Sequence, residues 1–215
     1  MSKSTLVALA LASTVFAAQA QDAAAGEHKA AMCLGCHAIS GYQSSFPEIY
    51  KVPMISGQST KYIVASLTAY KKGERKHPTM RGIAASLSET DMADLGAYFE
   101  KHGMSSVKRV ADTPAVAATS EVAALLTKGA CASCHGANFS KPVDGTYPKI
   151  AGQHADYLYV ALRSYKVTGN PQIGRSNAIM VGQMAQFKGD ELKAIAKYLG
   201  SLPSELRSVP EPRFR

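Results

Sequence analysis

Tryptophan is absent from the 215 residues, and six phenylalanines and ten tyrosines supply all the aromatic bulk. A core built from side chains alone would be thin, so two small domains of this composition would gain from an added apolar nucleus. Cysteine is scarce as well. The four present fall at 33, 36, 131 and 134, too few for a disulfide-dense scaffold. Beyond residue 20 no apolar run is long enough to span a bilayer, which predicts a soluble product. Blocks of like charge are missing too. The formal charge is +8, or +7 without Lys3, yet residues 21–110 hold 11 basic against 8 acidic groups and the remainder 12 against 8. The densest cluster, Lys71-Lys72 with Arg75-Lys76, is too small for a nucleic-acid face. A modest positive field instead suits an acidic protein partner or loose association with an anionic membrane surface.

The first twenty residues stand apart. Lys3 precedes an apolar run from Leu6 to Ala18, and Ala18-Gln19-Ala20 has the small-x-small form of a signal-peptidase site. A secretory signal over 1–20, cleaved near Ala20, is expected.

The rest of the chain repeats itself. Cys33-Leu-Gly-Cys36-His37 is followed by Pro53-Met-Ile55-Ser-Gly57-Gln58, Tyr62, Leu67 and Tyr70-Lys71. Cys131-Ala-Ser-Cys134-His135 is followed by Pro148-Lys-Ile150-Ala-Gly152-Gln153, Tyr157, Leu162 and Tyr165-Lys166. From the P-x-I-x-G-Q segment to the Tyr-Lys pair the spacing is identical, and in both copies a methionine (Met80, Met180) stands eighteen residues before a tyrosine (Tyr98, Tyr198). Two long copies make a duplicated domain rather than a solenoid. The expected division is a domain over 21–104, an extended linker over 105–119 containing Pro114 and many small residues, and a second domain over 120–215.

Each copy reads as three helices. The first opens near Asp22 or Ser120 and runs into the cysteines. The second ends at Gly73 or Gly169. The third opens at Ser88 with Asp91 in a capping box, or near Asp190, and carries Met92, Leu95 and Phe99, or Leu192, Ile195 and Leu199, at helical spacing. No segment alternates with a period of two, so the predicted fold is all-α.

Every cysteine belongs to a C-x-x-C-H pentapeptide. Two thiols three residues apart on one helical turn reach the two vinyl groups on one edge of a haem, and the next histidine then faces the iron. A disulfide or thiol-exchange site, or a zinc site, would leave the histidine after each second cysteine unexplained. Zinc sites also place their cysteine pairs closer than the 98 residues separating these motifs. Two covalently attached haem c groups are therefore expected, on Cys33 and Cys36 and on Cys131 and Cys134, with His37 and His135 as proximal ligands. Because cysteine-linked haem is assembled outside the bacterial cytoplasm, the leader and the motifs together point to the periplasm.

A thioether on the sixth position closes the iron and raises its potential, whereas an open position admits small ligands. In the second copy no histidine follows His154, leaving Met180 or Met184; alignment through Tyr98 and Tyr198 favours Met180. In the first, Met80 competes with His77 but has the matching counterpart. Met54, Met92 and Met184 read as core filling. A carbonyl near Pro53 or Pro148 could accept the proximal imidazole N–H, or the prolines could simply stiffen a turn. Gly57 and Gly152 suit close backbone approach, and the four second-helix tyrosines suit packing at haem or domain interface.

With these motifs in hand, the sequence resembles the di-haem cytochrome c4 family over nearly all of the mature chain. The resemblance implies two tandem class I cytochrome c domains with haems facing a shared interface. It also implies His37/Met80 and His135/Met180 ligation, and electron transfer between respiratory donors and a terminal oxidase or other acceptor. The tract Tyr42 to Val52, with Phe46-Pro47, is longer than the family pattern. Two other functions compete: the cytochrome subunit of a flavin-dependent sulfide dehydrogenase, and a catalytic di-haem enzyme. The peroxidase form of the latter needs an open iron, and the thiosulfate dehydrogenase form a further cysteine.

Overall fold

The computed structural model describes residues 21–211; the expected signal peptide lies outside the described residues. The first half contains α1 (Ala23–Lys29), α2 (Ala31–His37), β1 (Gln43–Ser44), β2 (Tyr50–Lys51), α3 (Thr60–Lys72), β3 (Arg75–Lys76), α4 (Pro78–Ala85) and α5 (Glu89–Lys101). A single 3-10 turn, Met104–Ser106, leads to the second half, with α6 (Ser120–Lys128), α7 (Cys131–His135), α8 (Ala155–Ser164), β4 (Gly174–Arg175), α9 (Ala178–Ala185) and α10 (Gly189–Ser201). The fold is all-α, its four strands being two residues each. The described residues form five helices per half rather than three. The predicted first helix breaks at the buried Ala30, which closes α1 and opens α2, and at Gly129–Ala130, where Ala130 turns left-handed (φ 45°). The added helices α4 and α9 are short and carry the candidate methionines. Helix α8 also stops at Ser164, before Gly169.

Each half encloses its own core. Ile63 and Leu67 of α3 meet Met92, Leu95 and Phe99 of α5, while Leu158 of α8 meets Leu192, Ile195 and Leu199 of α10. Helix α5 begins where predicted: Ser88 Oγ accepts from Asp91 N at 3.1 Å, and Asp91 Oδ2 accepts from Ser88 N at 3.0 Å. Helix α1 crosses α5 at Gly26, where the backbones come together so closely that a methyl group would overlap the Asp94 carbonyl and the Tyr98 Cβ. Lys29 fixes that crossing through Asp91 (2.7 Å) and the buried Asp94 (2.8 Å).

The halves are clamped by three segments. The long tract after Tyr42 folds into the antiparallel β1–β2 hairpin and lies on α8: Lys51 pairs with Asp156 (3.1 Å), Glu48 with Arg163 (2.8 Å), and Tyr50 packs on Tyr157. Strands β3 and β4 pair antiparallel across the boundary, Arg75 opposite Arg175. Beyond α10 the chain returns to the first half, where Arg207 N donates to Ser56 O (3.0 Å) and Glu211 pairs with His102 (3.2 Å). The segment between halves runs along the second, with Asn138 Nδ2 donating to Ala111 O (2.6 Å) and Tyr198 Oη to Val116 O (3.0 Å).

Gly26→Ala should cost about 3 kcal/mol by forcing α1 off α5. Thermal melts of the haem-loaded protein would show the loss as a lowered Tm.

Candidate haem sites

Helix α2 is only seven residues long and ends on His37, so Cys33, Cys36 and His37 sit together on its last turns; α7 ends on His135 in the same way. His37 Nδ1 lies 2.7 Å from the Pro53 carbonyl oxygen, and His135 Nδ1 lies 3.0 Å from that of Pro148. A carbonyl only accepts, so Nδ1 must carry the proton and Nε2 keeps its lone pair. Burial lowers the pKa of both imidazoles, and the carbonyl contact opposes it only in part. Each ring is thereby held neutral, oriented and able to ligate. Of the two sequence readings of Pro53 and Pro148, the carbonyl-acceptor one is present in both halves.

The thiols are not set up for exchange chemistry. Burial first, and Cys36 second, push the Cys33 thiol up to about 11, and burial raises Cys131 as well. A protonated thiol is a poor nucleophile. All four cysteines are free of disulfides. Cys33 flanks the first core and Cys131 the second, so the pairs do not converge on one metal ion, and no such cluster of three or more His, Cys, Asp or Glu occurs among the described residues.

Met80 lies in the first turn of α4 and Met180 in that of α9, each partly buried against the core that its own half's cysteine flanks. Met184 is 3% exposed and belongs to the core itself. His77 caps α4, its Nδ1 accepting from Met80 N at 3.4 Å, and Asn177 caps α9, its Oδ1 accepting from Met180 N at 3.1 Å. His77 thus has a counterpart after all, as a cap; a shared structural role across different residue types is invisible to a search for matching histidines.

Sequence reasoning also missed Arg75 and Arg175. Arg75 belongs to the densest charge cluster of the sequence, yet its guanidinium lies between the halves. It donates to Ser66 Oγ (2.7 Å), Tyr62 Oη (3.2 Å) and, across the boundary, Tyr157 Oη (2.8 Å), and it stacks on Tyr70 at 4.7 Å. Arg175 also donates to Tyr157 Oη (3.2 Å) and lies over the rings of Tyr157 and Tyr165. The four repeated tyrosines are therefore interface residues. Burial would raise the Tyr157 pKa, but the flanking guanidiniums of Arg175 and Arg75 bring it below the ordinary phenol value. Neither arginine is ion-paired among the described residues, and Arg75 Nε is sealed from solvent without a partner. Two half-buried cations side by side, one with a sealed and unpartnered Nε, are favoured by an anion that joins them.

This donor set fits haem c. It offers two thiols, a neutral imidazole and a thioether in each half, and between the halves two cations for a cofactor that brings its own carboxylates. Such a site on such a fold defines a c-type cytochrome with two haem centres. Comparison with known proteins agrees. A family model described as Cytochrome c matches residues 120–203. Cytochrome c4 of Pseudomonas aeruginosa is 31% identical over 198 residues, covering 90% of this chain and 95% of that relative. The thiosulfate dehydrogenase electron acceptor of Stutzerimonas stutzeri is 29% identical and spans 82% of both chains. The crystal structure of reduced recombinant cytochrome c4 from Pseudomonas stutzeri superposes with a TM-score of 0.59 at 28% identity, over 86% of this chain and all of that one. The chain belongs to the cytochrome c4 family. Its cofactor is haem c, two groups per chain, and its role is electron transfer with redox partners.

Arg75→Gln in the haem-loaded protein should lower the potential of the haem nearest His37, by an amount on the order of 1 kcal/mol, because a positive charge that favours the reduced form is lost. Spectroelectrochemical titration would read the shift.

Proposed function

We propose that this chain is a periplasmic di-haem electron carrier, exported by residues 1–20 and cleaved near Ala20, that passes single electrons from respiratory donors to a terminal oxidase or another acceptor. In this reading two class I domains, 21–104 and 120–215, are joined by 105–119. Cys33 and Cys36 hold one haem, with His37 and Met80 as axial ligands; Cys131 and Cys134 hold the other, with His135 and Met180. When bound, haem supplies a one-electron couple. The chain's own residues orient the imidazoles through Pro53 and Pro148, exclude water with the two cores, and set the local charge with Arg75 and Arg175.

The observation that carries the reading is the repetition of one complete set in each half: a thiol pair, an imidazole fixed by a proline carbonyl, and a capped methionine. A closed site of that kind suits transfer and leaves no open position for substrate chemistry. Met180 is favoured over Met184 because the latter is spent on core packing. The even positive charge supports docking to acidic redox proteins and loose contact with an anionic membrane surface.

A second reading concerns the donor. The relationship to an electron acceptor of thiosulfate dehydrogenase supports electrons arriving from a sulfur-oxidising enzyme, with this chain still acting as carrier. Rapid reduction of the purified protein by such an enzyme plus thiosulfate, faster than by thiosulfate alone, would support it; equal rates would remove it.

The deciding experiment is the optical spectrum of oxidised and reduced protein with and without carbon monoxide and cyanide. Low-spin spectra with a methionine-to-iron charge-transfer band, insensitive to both ligands, are expected. A high-spin fraction that binds either would overturn the closed-site reading. Met180→Ala should make one haem bind carbon monoxide. Met184→Ala should leave both closed while costing about 2–5 kcal/mol of stability through its cavity.

A further inference from the structure

The glutamine that ends each P-x-I-x-G-Q segment is 4% exposed in both halves, too buried for a surface residue. Neither bonds mainly to its own half. Gln153 accepts from Met54 N at 3.0 Å and donates to Met54 O at 2.8 Å. Gln58 accepts from Lys149 N and donates to Lys149 O, both at 3.0 Å. The arrangement is reciprocal: each side-chain amide grips, with both of its polar atoms, the residue that follows the proline of the other half.

Those residues were not chosen at random. The N–H of Met54 and the carbonyl of Pro53 belong to one planar peptide group, and so do the N–H of Lys149 and the carbonyl of Pro148. The carbonyl end accepts from His37 Nδ1 at 2.7 Å or His135 Nδ1 at 3.0 Å. A continuous chain of hydrogen bonds therefore runs from Gln153 through the 53–54 peptide to His37, and another from Gln58 through the 148–149 peptide to His135. Bonds linked in this way polarise one another: an acceptor on the amide N–H makes the carbonyl at the other end a better acceptor. A stronger bond to Nδ1–H makes the imidazole a more basic ligand and fixes its ring.

We infer that Gln58 and Gln153 are positioning residues, each fixing and polarising the peptide group that holds the proximal histidine of the opposite half, so that each half tunes the other's haem. Their reach depends on the preceding glycines. Gly57 and Gly152 have φ of 83° and 64°, and their N–H groups donate to Phe99 O and Leu199 O, both at 2.7 Å, which anchors the turn to the last helix of the same half. The glutamine is thus held rigidly by its own half and acts on the other. Docking of the halves and tuning of the two irons become a single device.

The inference rests on the His37 and His135 ligation proposed above. Haem content is measured first: fewer than two haems per chain, by pyridine haemochrome, would overturn that reading and this inference with it. The two one-electron waves are then assigned with Met80→His and Met180→His, each of which lowers the potential of one haem by changing its axial ligand. Gln153→Ala should weaken the acceptor on His37 and favour the reduced form of the first haem by about threefold at fixed ambient potential, leaving the second unchanged. Gln58→Ala should do the converse. In NMR of the reduced protein the Nδ1–H resonance should move for the histidine of the opposite half only. Tyr50→Ala, which removes the ring packed on Tyr157 across the same boundary, loosens the interface with no change of charge and without touching either chain of bonds, and should move neither. The inference is overturned if the glutamine variants shift the haem of their own half, shift both haems equally, shift neither, or are matched by Tyr50→Ala.

Discussion

A single planar peptide group, used at both ends, is the constraint on which this molecule is built. In each half the amide between the repeated proline and the next residue offers its carbonyl to the proximal imidazole and its N–H to a glutamine of the other half. Neither end can move without the other, because the group is rigid. The rest of the interface serves that arrangement. The β1–β2 hairpin leans on α8, the β3–β4 pair closes the gap between the halves, and the C-terminal segment returns to Ser56 immediately before Gly57. An electron carrier benefits from such over-determination, since a ligand that does not shift on oxidation or reduction costs little reorganisation.

The scarcity of aromatic side chains has its counterpart in the cores. Each half buries few large residues, and Cys33 with Met80, or Cys131 with Met180, stand at the edge of that cluster rather than within it. A large apolar cofactor bound at that edge would complete the packing that the side chains leave thin, and haem would then serve both as the redox centre and as part of what holds each half together. The difference between Met180 and Met184 is the same point seen from the protein: one is left at the edge, and the other is consumed by the core.

The two halves are copies in framework but not in their contacts. Among the described residues, only the first half carries the hairpin arm, and only Arg75 donates across the boundary to a hydroxyl of the other half, that of Tyr157. His77 and Asn177 perform one capping role with different chemistry. The positive charge of Arg75 lowers the His37 pKa, whereas among the described residues that of His135 responds to burial and to the Pro148 carbonyl. The two halves therefore offer a haem different local electrostatics.

Much of this was legible in the sequence because it is local. The C-x-x-C-H pentapeptides, the capping box at Ser88–Asp91 and the apolar spacing of Met92, Leu95 and Phe99 are set by one or two turns of helix, and the duplication doubled every such signal. Local pattern did not show where α1 must stop for α2 to begin, since Ala30 is as good a helix former as its neighbours and the break is imposed by packing. Nor could it show what Gln58, Gln153 and Arg75 do, because partners of each lie 82 to 99 residues away, nor that Arg175 stands beside Arg75 on the facing strand. The sequence by itself determined the all-α class, the two haem motifs and the apolar face of the last helix in each half, through short-range geometry. Tertiary structure alone decided that each repeated glutamine bonds to the backbone of the other half and that Arg75 bridges to Tyr157, because only the docking of the two halves brings those polar groups to the partners they need.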